Sequence, residues 1–268
     1  MTDTWQTELA DSYTRIDELL KFLQLDPALV PVSQAAAGLF RMRVPKAYAA
    51  RMIAGNPHDP LLRQVLPLED ELQYSPGYVA DPVGDIDSVM EPGLLQKYQA
   101  RVLMIMTGAC AVHCRYCFRR NFPYSEQTLS RTREQESLKP IMENTNIREV
   151  ILSGGDPWVL TDRQLESRIQ AVANIPHVSR LRIHTRMPVV LPNRVSAGLL
   201  EILKATRLKI VVVIHANHPQ ELDASTARAL QRLSESGCHL LNQSVLLKGI
   251  NDCPDTLEQL SENLFEHG

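Results

Sequence analysis

Three of the five cysteines stand close together, as Cys110, Cys114 and Cys117, in the spacing Cys-x3-Cys-x2-Cys. Three thiolates on one short loop can each take one iron of a cubane [4Fe-4S] cluster, whereas a closed cluster uses four. The fourth iron then stays open to another ligand, and that opening separates a reactive cluster from an electron carrier. Two other readings remain: a zinc site completed by His113 or a distant histidine, and three plain thiols. Cys238 and Cys253 are singletons with no second cluster-like spacing. An odd count argues against a disulfide framework, and the two outliers are expected as small core or surface residues.

A loop of this kind needs elements that hold it still. From about residue 100, short apolar runs alternate with longer amphipathic stretches. The expected strands are 101–106, 149–152, 180–184, 209–215 and 240–247. The expected helices are 130–143, 163–173, 194–205, 223–236 and 255–267, the last presenting Leu257, Leu260, Leu264 and Phe265 on one face. Nearly continuous runs such as Ile210-Val211-Val212-Val213-Ile214 suit strands covered on both faces. Such alternation implies βα units with a parallel sheet. The cysteine loop follows the first of these strands, at the strand end that carries active sites in βα barrels. Residues 1–95 read as an N-terminal helical accessory region, with Ile16, Leu19, Leu20, Phe22 and Leu23 at helical spacing and Pro-marked turns after residue 55.

The 268-residue chain carries a formal net charge of −3. That balance disfavours a nucleic-acid binder built on a broad basic surface. No apolar run reaches the ~20 residues of a membrane span. The first residues lack the pattern of a signal peptide, so the cytoplasm, where thiols stay reduced, is the expected compartment.

A second motif, Leu152-Ser153-Gly154-Gly155-Asp156-Pro157, closes the next strand. Taken alone it is a βα turn with Asp156 as a cap, although two glycines also permit a close backbone approach. Together with Cys-x3-Cys-x2-Cys and the aromatic Tyr116, it resembles the radical S-adenosylmethionine (SAM) superfamily. Further stretches narrow the resemblance: Lys97-Tyr98 with Arg101, Cys117-Phe118-Arg119-Arg120, Arg182-Ile183-His184-Thr185-Arg186-Met187-Pro188, Asn217-His218-Pro219 and Asn242-Gln243-Ser244-Val245-Leu246-Leu247. These are similar to the lysine 2,3-aminomutase family. Phe40-Arg41-Met42-Arg43-Val44-Pro45 and the run from Asn56 to Pro67 resemble its bacterial branch that serves elongation factor P, the β-lysylation protein B type.

The resemblance implies an α/β fold, an incomplete (β/α) radical SAM barrel over residues 96–268, which is TIM-like but partial. It implies a [4Fe-4S] cluster on Cys110, Cys114 and Cys117, with SAM on the open iron, and pyridoxal 5′-phosphate (PLP) beside it. Tyr116 would lie against the adenine. Ser153, Gly154, Gly155 and Asp156 would hold the SAM amino group, and His215, Asn217 and His218 would line the same pocket. Lys97, Tyr98 and Arg101 would take the PLP phosphate. Arg119 would be the catalytic-site arginine that pairs with the substrate carboxylate. The implied reaction converts free L-lysine to β-lysine with an external electron donor, and a separate ligase attaches the product to elongation factor P. A related aminomutase acting on another amino acid, or a cluster-binding module without turnover, are the competing functions. The family's next strand, its PLP-binding lysine and its carboxylates for the ε-ammonium have no counterpart before Gly268. An open sheet edge is therefore expected, which invites a homo-oligomer or aggregation.

Overall fold

The computed structural model describes residues 4–127 and 131–268. Residue 130, where the first of the expected helices would start, lies outside them. Among the described residues, seven strands form one sheet: β1 (Val89–Glu91), β2 (Leu94–Tyr98), β3 (Arg101–Thr107), β4 (Glu149–Gly154), β5 (Arg180–Thr185), β6 (Lys209–Ile214) and β7 (His239–Asn242). Their order in space is their order in the chain. The first two pairings are antiparallel and the four from β3 to β7 are parallel. Helices Arg131–Glu143, Asp162–Ala173, Ala197–Ala205 and Ala224–Glu235 connect the parallel strands, and Pro254–His267 follows β7. Strands added one by one in a single direction are the topology of a βα barrel. Here β1 and β7 remain unpaired edges, so the barrel is partial.

One row of side chains runs across the sheet. Met104, Leu152, Ile183, Val212 and Leu240 face one another in register, and the first four are fully buried. This row aligns the strands so that the C-terminal ends of β3 to β7 rise to one level. A one-residue slip would turn each apolar set to the opposite face.

The helix starts are set by side-chain caps. Thr161 forms a capping box with Gln164, and Ser196 and Asp223 accept from the first-turn amides of the helices that follow them. The expected helix at 194–205 therefore begins at Ala197, because Pro192–Arg194 form a separate turn ahead of the cap. The last strand is shorter than the expected 240–247. After Asn242 the ladder stops, because the Asn242 side chain itself bonds the amide and carbonyl of Ala216 at 2.9 and 3.0 Å. In the last helix Leu260 is buried but Phe265 is 87% exposed. Five residues past Leu260, it has rotated off the apolar face.

The first ninety-odd residues contain short helices, including Thr4–Ala10 and Ile16–Phe22, and also strands β1 and β2, which extend the sheet beyond β3. Leu19, Tyr48, Leu61, Leu62 and Val65 belong to the same buried cluster as the sheet residues. Trp5 lies 4.5 Å over the guanidinium of Arg194, which also donates to the Trp158 carbonyl at 2.7 Å. Ile183→Ala empties the middle of the cross-sheet row. It should cost about 2–5 kcal/mol, read as a lower urea midpoint at unchanged slope.

Candidate active site

The cysteine loop has little regular secondary structure, and beside its own turn bonds, such as the Cys117 amide on the Cys114 carbonyl at 3.1 Å, its backbone groups are satisfied from outside. The His113 amide donates to the Arg43 carbonyl at 3.0 Å, and the Arg115 amide donates to the Gln64 carbonyl at 2.8 Å. The Arg115 side chain grips both oxygens of Glu71 at 2.7 and 2.5 Å and also reaches the Phe40 carbonyl. On the other flank, the Asp156 amide donates to the Ala109 carbonyl at 2.8 Å. The loop is thus held between the N-terminal region and the end of β4.

The glycine pair explains the second grip. A Cβ on Gly155 would lie 2.2 Å from the Ala109 carbonyl oxygen, and one on Gly154 would lie 2.6 Å from that of Thr107. Gly154 also has φ +117°, which L side chains rarely adopt. The close approach that the two glycines allow is therefore backbone against backbone, β4 turn against cysteine loop. Asp156 is buried. It accepts from the Trp158 amide at 3.0 Å and the Thr185 hydroxyl and Arg186 amide at 2.7 Å each. It caps its own turn, as the bland reading of the motif has it, and also fastens the end of β4 to that of β5.

Above the strand ends lies a cavity of about 480 Å³. Cys110, Cys114, Cys117, Tyr116, Arg119, Ser153, Gly154, Gly155, Asp156, Lys97, Tyr98, Arg101 and His215 all line it. Asn217 stands one step behind, donating from Nδ2 to the Tyr116 hydroxyl at 2.7 Å. Two neighbours in the same motifs lie elsewhere. His218 accepts the Gln220 amide as a local cap, and Arg120 pairs with Glu71 at 2.9 Å.

Besides Arg101 and Asp156, two paired groups of charges stand in or behind the cavity wall. Near its N-terminal wall, the buried Asp85 holds Arg119 Nε at 2.7 Å and Lys97 Nζ at 2.5 Å, while Arg119 Nη1 donates to the Ser153 hydroxyl at 2.9 Å. Near the cysteine loop, Arg186 donates to Cys114 Sγ at 2.7 Å and pairs with Glu221 at 2.9 Å. His184 and His215 meet edge to face with centroids 5.9 Å apart. Burial, reinforced by nearby cations, pushes His184 down to about 4 and His215 to about 3, so both rings are neutral near pH 7. Burial raises the Cys110 thiol well above its ordinary value and raises Cys117 as well. Binding as thiolates therefore requires a metal to displace the protons.

The sequence motifs now have their geometry, and comparison with known proteins assigns them. Residues 104–260 match the radical SAM superfamily model. The chain is 43% identical to the L-lysine 2,3-aminomutase of Escherichia coli K12, over 99% of its own length and 78% of the relative's. That of Haemophilus influenzae Rd is also 43% identical, over 98% and 78%. That of Clostridium subterminale is 34% identical, over 98% and 63%. The chain belongs to the lysine 2,3-aminomutase family of the radical SAM superfamily.

Members of this family carry a [4Fe-4S] cluster and SAM, and the donors present fit both. Among the described residues no group of His, Cys, Asp and Glu is gathered about a single ion. The cysteines instead line a shared cavity with a guanidinium donor beside one sulfur. Three thiolates lining one cavity are the donor set of a cluster with one open iron. Several lining residues of this aminomutase-family site escaped the sequence reading. Asp85 and Tyr124 sit in stretches without a motif. His184, Arg186 and Gln243 lie within quoted motifs, but spacing alone assigned them no role. Residues 1–95 also supply Val83 and Asp85 to the cavity wall.

Two outcomes are expected. Gly155→Ala should destabilise by about 1–3 kcal/mol, because its Cβ meets backbone that cannot swing away; the check is urea unfolding. Unfolded histidines bind protons below about pH 6.5 while His184 and His215 stay neutral in the fold, so stability should fall as pH drops from about 6.5 towards 4. Replacing both by Asn should flatten that decline when midpoints are measured against pH.

Proposed function

We propose that the protein is an L-lysine 2,3-aminomutase that converts free L-lysine to β-lysine, in the cytoplasm, for attachment to elongation factor P by a separate ligase. The single observation that carries the reading is the joining of three cluster cysteines and a buried, half-committed arginine in one cavity, in a chain 43% identical to named aminomutases over 99% of its length. When bound, the cluster with SAM supplies a carbon radical able to take hydrogen from an unactivated C–H, PLP supplies a π-system for the migrating amine, and an external donor supplies the electron.

The chain's own residues bind, orient and exclude water. Cys110, Cys114 and Cys117 would hold the cluster, one thiolate per iron. Tyr116 offers a ring face to the adenine, with its hydroxyl tied back to Asn217. Gly154, Gly155 and Asp156, with Ser153 and His215, would form the wall of the SAM pocket. Lys97, Tyr98 and Arg101 line the same cavity; their two cations, that of Lys97 steadied by Asp85, and one hydroxyl suit the phosphate of PLP. Arg119 has Nε engaged by Asp85 and Nη1 by Ser153. Its remaining N–H groups are left to pair with the carboxylate of lysine. The apolar lining from Leu95, Val102, Leu103, Val112, Ile151 and Val245 keeps competing water from a reactive radical.

Anaerobic protein reconstituted with iron and sulfide, then given PLP, SAM, dithionite and L-lysine, should form β-lysine; a product from another amino acid alone would overturn the substrate assignment. Arg119→Lys loses the planar fork and should raise KM for lysine roughly tenfold or more. Cys114→Ala should abolish both the cluster absorbance and SAM cleavage.

A further inference from the structure

Gln64 lies far from the cysteine loop in sequence and outside the superfamily match at 104–260. It sits on a short turn, Leu62–Gln64, and is 1% exposed. Its side-chain carbonyl accepts from Arg186 Nη2 at 2.7 Å, Asn217 Nδ2 at 3.0 Å and the Tyr116 hydroxyl at 3.4 Å. Its NH2 group donates to Glu221 Oε1 at 3.0 Å and to the Pro60 carbonyl at 3.2 Å. Its backbone carbonyl takes the Arg115 amide. One amide therefore meets the cysteine loop, the residue after β5 and the turn after β6.

We infer that Gln64 is a positioning residue for SAM, acting through Tyr116 and Asn217. This rests on the reading above that Tyr116 offers its ring to the adenine of SAM, with Asn217 one step behind it. The chemistry singles out a glutamine. The site demands an acceptor toward three donors and, on the same group, a donor toward a buried carboxylate. Glutamate would set a second carboxylate against Glu221, and leucine would offer neither function. The Tyr116 hydroxyl receives Asn217 and is steered by Gln64, so the plane of its ring is fixed from behind rather than by the ligand. Loss of the amide leaves Arg186, Asn217 and Tyr116 short of a buried acceptor. They re-pair with one another, and the ring turns from the position it offers the adenine.

The test is SAM binding to the cluster-reconstituted chain, measured by equilibrium dialysis, with iron content and thermal midpoint recorded for each variant. Gln64→Leu and Gln64→Glu should weaken SAM binding about tenfold, a loss of about 1.4 kcal/mol, with iron content unchanged. Gln64→Asn, which keeps both functions one methylene short, should recover part of the affinity. In a double-mutant cycle, Gln64→Leu added to Tyr116→Phe with Asn217→Ala should have far less effect than alone. A lower thermal midpoint with unaltered SAM affinity, or full additivity in the cycle, would overturn the inference. If Tyr116→Ala and Asn217→Ala leave SAM affinity unchanged, the pocket reading itself fails. If they weaken it and the Gln64 variants do not, only the role of Gln64 fails.

Discussion

The loop that brings three cysteines to one cavity spends little of its backbone on regular secondary structure. Every buried amide in it still has to find an acceptor. In this chain the loop's own turns satisfy some amides, such as that of Cys117 on the Cys114 carbonyl, and others reach the carbonyls of Arg43 and Gln64 on the N-terminal side, while the loop's Ala109 carbonyl is taken by the turn after β4. Gly155 is the condition for that second contact, since a single methyl would occupy the space of the Ala109 oxygen. The positions of the cysteines, of Tyr116 and of Arg119 all descend from this two-sided restraint.

The same restraint explains why so much charge is buried here. Arg186, Glu221, Arg119 and Asp85 are each less than a tenth exposed, an arrangement that costs stability unless every charge is paired. Pairing is achieved across chain segments: Asp85 with Arg119, Glu221 with Arg186, Gln64 between them and Asn217. Polar networks of this kind specify one arrangement of the segments that form them. They place the cost of precision in the polar wall and leave the apolar row of the sheet to supply stability.

Much of the catalytic half was legible in the sequence because its signals are local. The cysteine spacing, the Ser153–Pro157 turn and the apolar strand runs each fit in a few residues, and the five parallel strands begin within a residue of their expected starts. What sequence could not give were meetings between distant segments. Asp85 carries no motif, and only the fold brings it to Arg119. Gln64 reads as a polar residue beside Arg63 in an otherwise apolar stretch until Arg186, Asn217 and Glu221 arrive around it. The strands at 89–98 were hidden by short length and exposure, since their burial pattern is irregular. The end of β7 was misplaced because apolar residues continue past Asn242, while a side chain takes over the role of the ladder.

The seat of Trp5 on Arg194 has a consequence for how the molecule comes into being. In translation Trp5 leaves the ribosome long before Arg194, whose guanidinium it covers, has been made. The segment around Trp5 therefore completes its packing only after the later residues are made. It must wait in a provisional state, and the long-range contacts it finally makes mark this as a slow, late-closing topology.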